Sequence, residues 1–146
     1  MTVSFFVPGD PIPKGSMKAF VVGGRARLTN NDERTKPWQM AVAMYARQNW
    51  SNLPSEAAFS IQACFFLRRP RSHYTGTGKL KNGAPPFPTM KKADTDKLFR
   101  LVGDALTGIV YFDDSQVIDI QATKRYADVA GAQVTCKVIE PERIKP

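Results

Sequence analysis

Two pairs of aspartates contain the side chains of this sequence that are best suited to metal chemistry. Asp94 and Asp96 form an Asp-x-Asp pair, and Asp113 and Asp114 follow about twenty residues later. A chain that leaves the first pair as a helix and then returns would bring the two pairs together. Clustered carboxylates repel one another unless a cation lies among them, and oxygen ligands favour Mg²⁺ or Mn²⁺. Such a site activates water and stabilises charge in phosphoryl transfer.

The same residues also have an ordinary structural explanation. Asp94 is suited to cap a helix, and Asp113, Asp114 and Ser115 are suited to form a turn. Each pair considered alone favours this explanation, whereas both pairs together in so basic a chain favour a cation site. The net charge is +8 at pH 7, which suits a polyanionic partner.

A helix over residues 96–107 is predicted to position the pairs. Its apolar residues recur at the spacing of one helical face: Leu98, Leu101, Val102, Ala105 and Leu106. Gly108 can end this helix in a left-handed conformation. The first pair therefore lies at the helix N-terminus, where exposed N–H groups and the helix dipole favour negative charge.

The residues around both pairs resemble those of a known family. The pattern reads Asp94-x-Asp96-x-Leu98-x-Arg100, then Asp104-Ala105-Leu106-x-Gly108, then Asp113-Asp114-x-Gln116-Val117. It is similar to the RusA family of Holliday-junction resolvases, which are small, Mg²⁺-dependent, homodimeric endonucleases found mostly in bacteriophages and prophages. The opening segment from Val7 to Gly15, which carries three prolines, is also similar to the start of many members.

The resemblance implies a role for each acid. Asp94, Asp96 and Asp114 would be the catalytic, metal-binding residues, and Asp113 would support them. The family usually has Asn after the second Asp and Lys three residues later, where this chain has Lys97 and Arg100. Because Arg100 keeps the charge but does not give up a proton, it would stabilise the phosphate rather than donate to it.

A long basic loop precedes the first aspartate pair. Residues 68–93 contain seven Lys or Arg and no Asp or Glu, so we interpret them as a flexible arm that contacts phosphates and becomes ordered on DNA. A charged, flexible insertion is the alternative. Tyr74 and Phe87 could stack on unpaired bases, while His73 has no evident partner in the sequence. The predicted DNA-binding residues are Lys14, Lys18, Arg68, Arg69, Arg71, Lys91, Lys92 and Lys97.

Further elements complete the predicted fold. Strands are expected over residues 2–7, 58–67, 117–124 and 133–139, with a hairpin of 19–22 and 25–28 around Gly23-Gly24. Basic residues of that hairpin present a DNA-binding surface or only protect an edge strand. We expect the last two strands to form a C-terminal hairpin. A helix from Pro37 to about Trp50 carries Met40 and Met44 as a second apolar face, which indicates the core or a dimer contact, with the core favoured.

These features predict one α+β domain over residues 1–146, with two main helices on a mixed, mainly antiparallel sheet of four to six strands. No apolar run is long enough to span a membrane or resembles a signal peptide, so we expect a cytoplasmic protein. The resemblance implies an Mg²⁺-dependent endonuclease that resolves four-way DNA junctions as a homodimer. A non-catalytic nucleic-acid-binding protein and a nuclease of the same fold acting on other branched DNA remain alternatives.

Overall fold

The computed structural model describes residues 1–15, 18–29 and 32–141, with residues 18–20 and 26–29 described by their backbone alone. The strands are β1 (Thr2–Pro8), β2 (Lys18–Val22), β3 (Arg25–Thr29), β4 (Ala58–Leu67), β5 (Val117–Tyr126) and β6 (Gly131–Ile139). The α-helices are α1 (Thr35–Asn49) and α2 (Thr95–Leu106), and short 3₁₀ turns cover Arg71–His73 and Asp114–Gln116.

A four-stranded sheet in the order β1-β6-β4-β5 forms the centre of the fold. β6 is antiparallel to both β1 and β4, whereas β5 is parallel to β4. The parallel pair needs a long crossover connection, which the basic loop and α2 provide. The predicted α+β class and the mixed, mainly antiparallel sheet are confirmed. The two-stranded sheet of β2 and β3 is separate.

The predicted C-terminal hairpin is wrong. β5 and β6 follow each other in the chain, yet β4 lies between them in the sheet. Alternation within β5 and β6 indicates that each is a strand, but it carries no information about which neighbour each strand pairs with. β5 also has a register shift at its start, where Phe59 pairs with Val117 and Ser60 with Asp119.

The hydrophobic core lies between the sheet and the two helices. Its sheet side includes the alternating residues of β4, namely Phe59, Ile61, Ala63 and Phe65. All five predicted apolar positions of α2 are buried, and Phe99 is buried beside them. Gly108 follows the helix with a φ of 83°, in the left-handed region that was predicted to end it.

Helix α1 buries only one of its two apolar faces. Trp38, Val42 and Ala46 lie in the core, whereas Met40 and Met44 are exposed. The expectation that the core covers these methionines is therefore wrong, because α1 packs against β1 and α2 on a single side. In the described part of the chain, no helix is both long and apolar enough to cross a membrane.

The predicted hairpin around Gly23-Gly24 is confirmed, with both glycines at positive φ. The basic loop, predicted to lack regular structure, contains a 3₁₀ turn and a small bridge between Tyr74 and Leu80. The N–H of Lys81 donates to the carbonyl of His73 at 2.8 Å, and the N–H of Thr75 donates to that of Lys79 at 2.7 Å. The loop thus folds back on itself in a compact turn.

Candidate active site

The first aspartate pair lies where α2 begins. Asp94 occupies the N-cap position with extended backbone, but its side chain makes no capping hydrogen bond. Its carboxylate instead lies 3.5 Å from Nζ of Lys97. Asp96 follows in the first turn, with its side chain exposed. The helix start therefore presents two carboxylates, of which Asp94 is paired with a lysine of the same helix.

The second pair is built into a tight turn before β5. The carboxylate of Asp113 accepts from the Ser115 N–H at 2.8 Å, and the side chain of Gln116 accepts from the N–H of Asp113 at 3.0 Å. These two bonds form a capping box around the 3₁₀ turn. The Ser115 hydrogen bonds hold the pKa of Asp113 below its ordinary value of 3.8, because they favour the charged carboxylate. Asp113 thus has a structural role in this turn.

Two side chains attach this turn to the rest of the fold. The amide of Gln116 donates to the carbonyls of Ser55 and Ala57, at 2.7 and 2.8 Å. The hydroxyl of Tyr111 donates to the carbonyl of Gly103 in α2 at 2.7 Å. Tyr111 is fully buried, and burial raises its pKa. The segment that carries Asp114 is therefore fixed to the helix that carries Asp96.

A cleft of about 480 Å³ lies between α2 and β5. It is lined by Thr95, Asp96, Phe99, Arg100, Gly103, Tyr111, Asp114, Val117, Ile120 and Ala122. The helix side of the cleft runs from Thr95 to Gly103, about 12 Å at roughly 1.5 Å per residue. Arg100 lies one turn beyond Asp96 on that face. Two acids and one guanidinium thus project into one groove from two elements.

The acids of the described residues do not gather into a closed metal cage. No group of three or more His, Cys, Asp or Glu lies at metal-ligand spacing in the chain segments that the structure describes. Mg²⁺, however, is usually held by one or two carboxylates together with waters and substrate phosphates. Asp96 and Asp114 supply oxygen ligands of that kind at the edge of an open groove, so the residues present fit this mode of binding.

Comparison with known proteins identifies the family. A sequence profile of the RusA endodeoxyribonucleases matches residues 8–137. The chain belongs to this family. It is also similar to the uncharacterized protein YqaN of Bacillus subtilis (strain 168), with 24% identity over 139 residues, which cover 94% of this chain and 96% of that protein. Membership implies a Holliday-junction resolving endonuclease, with DNA as its partner.

The predicted DNA-binding residues of this RusA-family chain differ in their surroundings. Lys14 is paired with Asp104, and Arg68 with Asp10 at 2.9 Å. Hydrogen bonding to Asp10 raises the pKa of Arg68. Lys97 is paired with Asp94, as described above. The side chain of Lys18 lies outside the described part of the structure.

The other predicted phosphate contacts lie in the basic loop. Arg71, Lys91 and Lys92 are exposed there. The guanidinium of Arg69 instead lies over the ring of Tyr126, 4.3 Å from the ring centroid. Three of these side chains are thus directly accessible to a phosphate backbone, and Arg69 is held in a defined orientation.

Three residues with a positioning role were missed from the sequence. Gln116 has the spacing of a capping box with Asp113, so that signal could have been recognised. Nothing in the sequence indicates that Tyr111 reaches α2. Lys124 donates from β5 to the carbonyl of Ala93 at 2.8 Å, one residue before Asp94. Its role also depends on tertiary structure, because the contact joins residues that are distant in the chain.

Proposed function

We propose that this protein is a Mg²⁺-dependent endonuclease that resolves Holliday junctions by paired phosphodiester hydrolysis in DNA recombination and repair. The observation that carries the proposal is the cleft between α2 and β5, where Asp96, Arg100 and Asp114 line one groove in a RusA-family chain. Acids with a neighbouring guanidinium suit the hydrolysis of a phosphate ester. We place this activity in the cytoplasm of a bacterial or phage-infected cell.

Asp96 and Asp114 would hold Mg²⁺ or Mn²⁺, with Asp94 as the third acid of the site. The ion, when bound, supplies a water nucleophile at neutral pH and neutralises charge that develops on the phosphate. Arg100 would bind a phosphate oxygen through its planar set of N–H donors and orient the scissile group. Lys97 would add a second cation beside the same phosphate once DNA is present.

The surrounding basic residues would supply affinity for the DNA backbone. Arg71, Lys91 and Lys92 are exposed in the loop that leads into α2, so a strand in the cleft would pass beside them. Phosphate contacts of this kind are largely independent of sequence and weaken steeply with salt. Lys14 and Arg68 would take part only after exchanging their carboxylate partners for phosphates.

Resolution of a four-way junction needs one cut on each of two strands, which suits a homodimer with two equivalent clefts. The exposed methionines of α1, Met40 and Met44, offer an apolar surface for such a contact. We therefore propose that the active form is a homodimer. Size-exclusion chromatography with light scattering would test this directly, since a monomer at concentrations that support cleavage would contradict it.

The decisive experiment is cleavage of a labelled mobile four-way junction, compared with a linear duplex of the same sequence, in Mg²⁺ and in EDTA. We expect paired, symmetric nicks on the junction in Mg²⁺ and none on the duplex or in EDTA. Flap and fork substrates in the same assay would identify a nuclease that prefers other branched DNA. Equal cutting of the duplex would contradict junction resolution.

A second candidate is a DNA-binding protein without catalytic activity. It is favoured by one observation: Asp94 is paired with Lys97 and Asp113 caps a turn, so one acid of each pair already has a structural role. This candidate predicts tight, salt-sensitive junction binding with no cleavage in any divalent metal. The same cleavage assay therefore separates the two candidates.

A further inference from the structure

A second cavity lies at the far end of β5, where the parallel strands β4 and β5 finish. Leu67 and Tyr126 are paired there, and the basic loop leaves the sheet at this point. The cavity has a volume of about 600 Å³ and is lined by Arg69, Tyr74, Pro86, Phe87 and residues 123–128. Carboxyl ends of parallel strands are common ligand positions in open sheets, and this volume is in the ordinary range of ligand pockets.

Flat, stackable groups line this cavity. The guanidinium of Arg69 lies against the ring of Tyr126 and donates to the carbonyl of Pro85 at 2.7 Å, which holds its plane in position. His73, which was predicted to have no partner, packs edge-on against the same ring, with 5.6 Å between ring centroids. Tyr126 is therefore supported on two sides, and Arg69 forms a fixed planar surface above it.

Phe87 provides a second planar surface, and it is exposed. The side chain is 65% accessible to solvent. The residue lies between Pro86 and Pro88, which restrict the backbone. An exposed aromatic ring in a restricted segment beside a guanidinium suits the binding of another flat group. Bases of nucleic acids stack on aromatic rings and on Arg guanidinium planes in this way.

The charge of the cavity matches the same kind of ligand. Arg69, Lys124 and Arg125 contribute positive charge, and Asp128 is the acid among the lining residues. A phosphate attached to a stacked base would meet two or more cations. An apolar ligand without charge would make no use of them.

The cavity and the acid cleft are neighbours along β5. Ala122 lines the cleft, and Lys124 and Tyr126, which follow on the same face of the strand, line the cavity. Lys124 connects the two sites, because its side chain lines the cavity and its ammonium holds the carbonyl of Ala93. From Ala122 to Tyr126 the strand rises about 13 Å, which corresponds to a few nucleotides of DNA.

We propose that this cavity binds one unpaired nucleobase of branched DNA, by stacking it between Arg69 and Phe87. The inference rests on the proposed function, because it assumes that the acid cleft holds a DNA strand. Bases in a linear duplex are stacked and paired, whereas a base at a branch point costs less to unstack. The cavity therefore favours a junction over a duplex, and it places the scissile phosphate a few nucleotides from the captured base.

The test combines base removal with mutation and is carried out in EDTA, so that it does not depend on cleavage. Four-way junctions carry a single abasic site at successive positions within a few nucleotides of the branch point. For the wild-type protein, we expect the abasic site at one position to weaken binding by between about 5-fold and 100-fold. Phe87→Ala should bind the intact junction as weakly as the wild type binds the abasic one, with no further loss on the abasic junction.

Two further variants sharpen the test. Leu80→Ala changes an exposed apolar residue of the same loop that is outside the cavity lining, and it should keep the full abasic penalty. Arg69→Lys keeps the charge but removes the planar group, so it should reduce that penalty. An abasic penalty that is equal in wild type and Phe87→Ala, or that is missing in wild type, would overturn the inference. Metal-dependent junction cleavage by the same wild-type protein would still uphold the proposed function.

Discussion

In each aspartate pair, one carboxylate is engaged in local structure and the other lines the cleft, but the two engaged carboxylates are held very differently. Asp94 faces Lys97 across 3.5 Å, in an ion pair whose side chains are both more than 40% exposed. Asp113 accepts a backbone hydrogen bond inside a capping box. Exposed ion pairs contribute little free energy, whereas a cap is part of the turn itself. Asp94 can therefore leave its partner by a side-chain rotation alone, whereas rotation of Asp113 would break the cap.

The largest effect should come from the two acids that line the cleft. Asp96→Asn or Asp114→Asn removes a metal ligand together with a negative charge. We expect either change to lower the rate of junction cleavage by more than about 100-fold, since even residues that only support metal ligands have effects of up to that size. Junction binding in EDTA should be unchanged or tighter, because repulsion of phosphate is reduced.

Glu140→Gln is the matched control for this pair of variants. It removes one exposed negative charge from the end of β6, so both cleavage and binding should remain at the wild-type level. A loss of junction binding by Asp96→Asn, measured by gel shift, would mean that Asp96 is needed for more than catalysis. Full cleavage by either Asn variant would remove that acid from the proposed site.

The next effect concerns the turn that fixes Asp114. Gln116→Glu removes the two N–H donors that reach Ser55 and Ala57 and places a negative charge beside their carbonyls. We expect the free energy of unfolding to fall by about 1–3 kcal/mol, measured by urea denaturation, and cleavage to fall as Asp114 is displaced. Gln121→Glu, at an exposed position on β5, is the matched control and should change neither quantity.

A smaller effect should distinguish Asp94 from Asp113. Lys97→Asn removes the ion-pair partner of Asp94 and introduces the amide that is usual in the family. Titration of cleavage against Mg²⁺ should show half-maximal activity at a severalfold lower Mg²⁺ concentration than in wild type. The reason is that no ammonium group then competes with the cation for the carboxylate of Asp94. Lys92→Asn, in the loop, should weaken DNA binding without this shift. A higher Mg²⁺ requirement in Lys97→Asn would contradict competition between Lys97 and the cation for Asp94.

The smallest effect should be that of Asp113→Ala on acid stability. The folded-state pKa of Asp113 is below 3.8, so its stabilisation is present above that pH and is lost as the pH falls through the folded-state pKa. The difference in urea midpoint between wild type and Asp113→Ala should therefore be full at pH 7 and should narrow below about pH 4. Asp113→Asn retains an acceptor for the cap and should lie between the two. A difference that is constant with pH would contradict the role of the charge.

Local sequence signals predicted much of the fold. The apolar stripe of α2, the glycine after it and the Gly23-Gly24 hairpin all depend on residues close in the chain, and the structure confirms them. The order of strands was not predictable in this way, because β6 pairs with β1 and β4 through backbone hydrogen bonds that any alternating strand can make. Met40 and Met44 were misassigned for a similar reason: a helical pattern shows that a face is apolar but not what covers it.

The candidate site was predicted to a similar extent. The acids and Arg100 were found through their types and spacing, and the structure brings Asp96, Arg100 and Asp114 to one cleft. The side chains that hold them could not be found so easily, because Tyr111 and Lys124 act across the tertiary structure on backbone carbonyls. Arg69 was predicted to contact phosphate, and its stacking on Tyr126 depends on a residue more than fifty positions away.

The position of β6 in the sheet has a consequence for how the protein is made. A chain emerging from the ribosome exposes β1 and β4 early, yet neither can complete its pairing until residues 131–139 have been synthesised, because β6 lies between them. Domains generally fold as units during synthesis, and unpaired strand edges are prone to aggregate. The sheet that supports the cleft is thus closed only by the last of its four strands to appear. A chain truncated before residue 131 would therefore leave β1 without its partner strand.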